Sequence, residues 1–387
     1  MNIQQNTQTI PFYDGSVLFK QRWNGLQNEL DKLMAHGKFS HGETVENLEN
    51  AIKNYTGAKY ALAVNSGTDA LVLLLRAANI GAGDEVIVPC YTFAASATSI
   101  VHVGATPIFV DIDPVRLTMN TAQLKQSITR KTKAIMPVHL FIQMANMQEI
   151  IEIAQQYQLM IVEDSAEAIG MFYNNIHAGL LGIGGALSFF PTKTLAALGD
   201  AGMIITNNDQ IAEIVGFTRH HGRIGKTIGH MPGISHEAIY CGTNSKMDDI
   251  QAAVLLNRLN YLDQDIQKRA DLAAYYDKRL SKIQQVKIPQ FSAQSENTNC
   301  VYYVYVIMAE QRDKLVQYLN ANGIGTEIYY PKPLHLQPCF APYIHSQLSL
   351  TVAEDICHKA VAVPLYPGLT YEQIDFVCDH IEKFYSE

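Results

Sequence analysis

Residues 59–79 read KYALAVNSGTDALVLLLRAAN. The first half, YALAVN (60–65), is a short apolar run with the length and composition of a buried strand. The second half, TDALVLLLRAAN (68–79), is a helix stopped by Gly81, and Ser66-Gly67-Thr68 turns one into the other. The same unit recurs on both sides of this stretch. Strands are expected at DEVIVP (84–89), TPIFVD (106–111), KAIMPVH (133–139), LMIVED (159–164), GALSFF (185–190) and GMIITN (202–207). Helices are expected at 24–35, 43–55, 147–157 and within YTFAASATSIVHVG (91–104). Short apolar strands alternating with helices define an α/β class, with a mostly parallel central sheet buried on both faces.

The pattern changes after about residue 248. Residues 247–280 form a long amphipathic helical region, followed by a strand at VYYVYVIM (301–308), a helix near 311–321 and a final helix at 371–385. This predicts a large α/β domain, 1–248, and a smaller C-terminal α+β domain, 249–387. No Gly/Ser or Pro-rich tether, low-complexity tract or repeat separates them.

The 387 residues, 48% of them hydrophobic, suffice for one large core or two adjoining ones. The net charge of −8, with no basic stripe interleaved with aromatics, argues against nucleic acid or an acidic membrane as partner. The most apolar stretch, 86–110, is interrupted by Pro89, Thr92, Ser96, His102 and Pro107, and the N-terminus lacks the layout of a signal peptide. A cytoplasmic location is expected. Six scattered cysteines and the absence of HExxH or CxxC spacing point to no metal.

Three strand ends carry candidate chemistry. At Ser66–Thr68 the helix start offers free N–H groups and a dipole suited to a phosphate, though Ser and Thr are also ordinary N-caps. At IVEDSAEAIG, Glu163 and Asp164 sit at the C-terminal end of a strand, where open α/β sheets place their ligand crevice. A carboxylate there could hold a protonated ring nitrogen, or Asp164 could cap the next helix. In SFFPTKTLAALGDAG (188–202), Lys193 follows a strand and precedes small residues that leave room for a bulky group. A lysine there is either a solvated charge or a nucleophile, and the second role calls for a pocket with a depressed pKa. Phosphate turn, aspartate and lysine together match what pyridoxal phosphate requires, with Tyr91 or Phe93 available to stack on its ring.

At this point the chain resembles a family. GETVENLENAIKNYTGAKYALAVNSGTDAL, GDEVIVPCYTFAASA, GATPIFVDID, IVEDSAEAIG, SFFPTKTLAALGDAG, RHHG, GTNSKMDDIQAAVL and GIGTEIYYPKPLHLQP are similar, in order and spacing, to blocks of the DegT/DnrJ/EryC1/StrS aminotransferases of fold-type I. The resemblance implies a pyridoxal phosphate-dependent enzyme that moves an amino group from glutamate to a keto nucleotide sugar in deoxyamino-sugar biosynthesis. It implies that Lys193 bonds to the cofactor and moves the proton, and that Asp164 keeps the pyridine nitrogen protonated. Gly67, Thr68 and Ser188 would hold the phosphate, Phe93 would stack on the ring, and Glu167 would contact its phenolic oxygen. Asn244 would reach the phosphate of a neighbouring subunit, making a homodimer with shared active sites.

Glu167 stands where relatives often carry Gln or His, and a carboxylate would repel a phenolate unless the two share a proton. Ile142, Met144, Lys246 and Tyr329 also depart from the common pattern. The LGDAG segment (198–202) resembles enzymes acting on 3-keto sugars, so the expected substrate is a dTDP-3-keto-6-deoxyhexose, with a 4-keto sugar as the alternative. A dehydratase on this fold would carry His in place of Lys193. A non-catalytic regulator would lack the Lys193–Asp164 pair. Residues 222–240, Gly-rich and without periodicity, are expected to form a substrate-facing loop.

Overall fold

The computed structural model describes residues 9–40, 42–223, 237–293, 298–344 and 348–387. Most of the expected loop, residues 224–236 with His230 and His236, therefore lies outside the described residues.

The chain enters through helices α1 (Ser16–His36) and α2 (Glu43–Thr56). Then β1 (Tyr60–Val64), α3 (Gly67–Ala77), β2 (Glu85–Pro89), α4 (Ala94–His102), β3 (Thr106–Val110), α5 (Thr121–Gln126), β4 (Thr132–Ile135), α6 (Met147–Tyr157) and β5 (Met160–Asp164) alternate. A two-stranded hairpin, β6 (Phe172–Tyr173) and β7 (Ile176–His177), precedes β8 (Gly184–Ser188), β9 (Gly202–Thr206) and α7 (Asp209–Thr218). The seven-stranded sheet has the order β1-β9-β8-β5-β4-β2-β3. Six strands run one way and β9 runs against them.

Strand alternation explains why the sheet needs cover on both sides. In β2, Val86 and Val88 enter one core while Ile87 enters another on the opposite face. α3 is apolar almost all round, burying Ala70 to Leu75 and Ala77, as expected of a helix laid against a sheet and covered by others.

After α8 (Asp249–Leu259), the second body is built on α9 (Leu262–Leu280), β10 (Val286–Lys287), β11 (Tyr305–Ala309), α10 (Arg312–Ala321), α11 (Thr351–Lys359), β12 (Ala360–Val363) and α12 (Tyr371–Ser386). β10, β11 and β12 form an antiparallel sheet. Leu272, Tyr276, Tyr305, Ile307, Val361 and Ile374 fill its core, joined by Ile10 from the start of the chain. The division proposed at 248/249 falls at the start of α8. That helix buries Ala252 and Leu255 beside Leu48 and Ile52 of α2, so α8 packs with the larger body, and α9, with Leu262 in that core and Leu272 in the second, bridges the two.

Two expectations need correction. Helix α1 begins at Ser16, well before residue 24, and its Gly25 faces Asn257 so closely that a Cβ would lie 2.6 Å from Nδ2. The strand expected over 301–308 starts only at Tyr305, because Val301 and Tyr303 donate their N–H groups to Ile142 and Phe141 of the larger body instead. That detour carries Tyr303 to the functional site.

Candidate active site

A cavity of about 580 Å³ opens at the C-terminal ends of the parallel strands. Gly67, Thr68, Phe93, Asp164, Glu167, Ser188 and Lys193 all line it. Of the residues expected at the site, Asn244 stands apart from this cavity. It is exposed, bridges to His220 and accepts a hydrogen bond from Lys246 Nζ. Tyr91, the other ring offered for stacking, is buried away from the cavity against Phe141 and Tyr330, whereas Phe93 is 63% exposed at the cavity.

The anion end is built by close packing. α3 starts at Gly67, so the first N–H groups of that helix have no partners within it. Ser66 Oγ satisfies Asp69, one turn in. A Cβ on Gly67 would lie 2.9 Å from Ser188 Cβ, and one on Gly202 would lie 2.4 Å from the Ser66 carbonyl carbon. Only glycines let the turn, β8 and β9 converge here, and they leave a cradle of backbone N–H and hydroxyl groups that fits a phosphate.

Alternation along β5 sends Glu163 and Asp164 to opposite faces. Glu163 is buried below the site, where it accepts from the N–H groups of Gly179, Leu181 and Gly182 and pairs with His139 Nε2 at 3.0 Å. Asp164 faces the cavity. Its Oδ2 accepts from Ser96 Oγ at 2.6 Å, Oδ1 accepts from the Ala166 N–H, and Ser96 Oγ in turn contacts Thr92 Oγ1 at 3.0 Å. Burial pushes Asp164 above the usual carboxylate range, while Ser96 and Ala166 pull it back down.

Lys193 is 14% exposed, and its Nζ lies 3.1 Å from Glu167 Oε1 and 4.1 Å from the centre of the Tyr303 ring. The depressed lysine pKa expected from sequence is not found. Burial does work to lower it, but Glu167, Tyr303 and Asp164 outweigh burial and hold the ammonium above the ordinary lysine value. Glu167 is itself raised, because burial outweighs the attraction of Lys193. Both members of the pair therefore retain protons more readily than usual.

An amine, a buried carboxylate, an exposed aromatic ring and an anion cradle lie around one cavity, a donor set that fits pyridoxal phosphate. Sequence reading missed Ser96, Thr92, His139, Tyr303 and Tyr330 at this site. Thr92 and Ser96 carried a signal, hydroxyls one helical turn apart beside Phe93. Tyr303 carried none, since a strand accounted for VYYVYVIM.

Residues 23–382 match the model of the DegT/DnrJ/EryC1/StrS aminotransferase family. The chain is 40% identical to a pleiotropic regulatory protein of Geobacillus stearothermophilus, over 97% of this chain and 98% of that one. It is 34% identical to dTDP-3-amino-3,6-dideoxy-alpha-D-galactopyranose transaminase of Aneurinibacillus thermoaerophilus, over 97% and 99%. The crystal structure of S. venezuelae DesV in complex with a ketimine intermediate superposes with a TM-score of 0.92 at 33% identity, covering 98% of this chain and 100% of DesV.

Proposed function

The chain belongs to the DegT/DnrJ/EryC1/StrS family of pyridoxal phosphate-dependent sugar aminotransferases, and from that premise we propose that it transfers the amino group of glutamate to a dTDP-3-keto-6-deoxyhexose. The observation that carries this reading is the convergence of Lys193, Asp164 and the Gly67–Thr68–Ser188 cradle on one cavity. When bound, the cofactor supplies an electron sink that makes a carbon-bound proton removable. This chain's residues do the rest. Gly67, Thr68 and Ser188 bind the phosphate, and Asp164, held by Ser96, keeps a positive charge on the ring nitrogen. Phe93 covers the ring, Glu167 holds a proton at its phenolic oxygen, and Lys193 carries the cofactor and then moves the proton between carbons.

Charge supports the dimer. The cavity wall carries Asp164, Glu167, Asp200 and Glu327 against one lysine, yet glutamate, the cofactor phosphate and a nucleotide diphosphate are all anions. The balancing cations must come from outside this wall. Asn244 neighbours Lys246, whose pKa is lowered by burial and then by Arg223 and Arg219. Such a basic group is suited to a second subunit's phosphate. Exposed Phe190, Leu198 and Ile250 near the lysine loop provide apolar surface for the same contact.

Asp200, the residue behind the 3-keto assignment, lies on the cavity wall, and Phe12, Phe190 and Ile328 offer apolar surface for a sugar methyl group. The name of the Geobacillus relative supports a second reading, a regulator on the same fold. A panel of 3-keto and 4-keto nucleotide sugars with glutamate tests both, with the new amine located by NMR. A 3-amino product is expected. A 4-amino product overturns the regiochemistry, and a colourless protein that forms no amine favours the regulator.

A further inference from the structure

We propose that Tyr303 is a positioning residue for Lys193. Its ring and the Glu167 carboxylate form a cation cradle that holds the lysine as a parked ammonium whenever its amine is not bonded to the cofactor. The inference rests on the reading of Lys193 as the cofactor-bearing residue.

The geometry is that of a two-sided clamp. Nζ lies 4.1 Å from the ring centre, within the range of a cation–π contact, and 3.1 Å from Glu167 Oε1. Both walls are fixed independently of the lysine. Tyr303 donates its N–H to Phe141 O at 2.8 Å, and its carbonyl accepts from buried Arg269 at 2.9 Å. Its hydroxyl lies 3.1 Å from Thr192 Oγ1 and 3.5 Å from the Tyr329 hydroxyl. Glu167 Oε2 accepts from the Phe141 N–H at 2.9 Å. Phe141 thus ties both walls together through its own peptide groups, and the clamp persists when the lysine leaves it.

Other ionisable groups face the same space. Asp164 acts in the same sense as the clamp, and Asp200 and Glu327 lie on the same cavity wall. His139, Tyr329 and Tyr330 complete the ionisable lining. Glu167 and Tyr303 are the groups that contact Nζ directly, one through a carboxylate oxygen and one through its ring face.

A parked ammonium has two consequences. The lysine stays within reach of the cavity while the cofactor carries the transferred nitrogen. It must also give up a proton before its neutral amine can condense with the cofactor's aldehyde, releasing one water. Removing the ring lowers the lysine's titration midpoint, so more amine is neutral at a given pH and loading speeds up.

Competitive acylation of cofactor-free full-length protein across pH, read at Lys193 by mass spectrometry, tests this. In the wild type the Lys193 midpoint should lie above the ordinary lysine value; a midpoint below that value overturns the proposal without any substitution. Tyr303→Phe should keep the midpoint and Tyr303→Leu should lower it. Equal midpoints for Tyr303→Leu and wild type, or a fall in Tyr303→Phe as large as in Tyr303→Leu, overturn it. Covalent loading of pyridoxal phosphate, followed by visible absorbance at neutral pH, should be about tenfold faster in Tyr303→Leu. If labelling behaves as expected but no variant loads, the clamp stands and the cofactor role of Lys193 falls.

Discussion

Glu163 and Glu167 lie four residues apart and are both buried, yet their partners are of different kinds. Glu163 accepts from three backbone N–H groups, each at 2.7 Å, and from His139, all held by the fold. Glu167 has one fixed donor, the Phe141 N–H, and one movable partner, Lys193. A buried carboxylate saturated by fixed donors is part of the framework. One that shares its charge with a side chain able to leave is part of the chemistry.

The harshest test of that contrast removes the movable partner. Lys193→Ala should abolish covalent cofactor binding and lower turnover by at least about 10³-fold. A yellow, active variant in absorbance and rate measurements would refute the assignment. Asp164→Asn, which removes the carboxylate proposed to face the ring nitrogen, should cost about 10²-fold in kcat with the cofactor still bound.

Glu163→Gln should act through stability. Its amide nitrogen would face N–H donors, and thermal melting should show a loss of about 3 kcal/mol. Glu167→Gln should melt close to wild type while moving the Lys193 titration to lower pH, because the carboxylate that favours the ammonium is gone. If 163 changes the titration and 167 the melting, the contrast is wrong.

The smallest effect is expected at Ser96→Ala. Ser96 pulls the Asp164 pKa down, so its loss raises it further. In the role proposed for it Asp164 is ionised, so the acidic limb of the kcat–pH profile should move to higher pH, with the plateau little changed. An unmoved acidic limb would mean that Ser96 does not govern Asp164.

Much of this was legible in sequence because apolar runs and strand ends are local signals. The α/β alternation followed from segments such as YALAVN and LMIVED, and Asp164, Ser188 and Lys193 each stand at or just past a strand end. The charge state of Lys193 was not legible. It depends on Glu167, 26 residues away, and on Tyr303, which reaches the site only because the chain pairs with Phe141 before joining its own sheet. His139 was passed over, and Glu163 was offered beside Asp164 at the same strand end, since nothing local tells which of the two neighbouring carboxylates faces the cavity.

The reversed strand β9 has one more consequence. Because it starts where β8 ends, the chain from Phe189 to Ala201 leaves and returns at the same rim, closed by the Phe189 N–H to Ala201 carbonyl bond at 2.9 Å. Arg258 and Gln251 of α8 hold this excursion at Ala196 and Leu198. The lysine and Asp200 therefore travel as one cassette, spliced between two ladder positions and stapled from behind. Natural variation can rewrite the cassette's contents without re-registering a single strand.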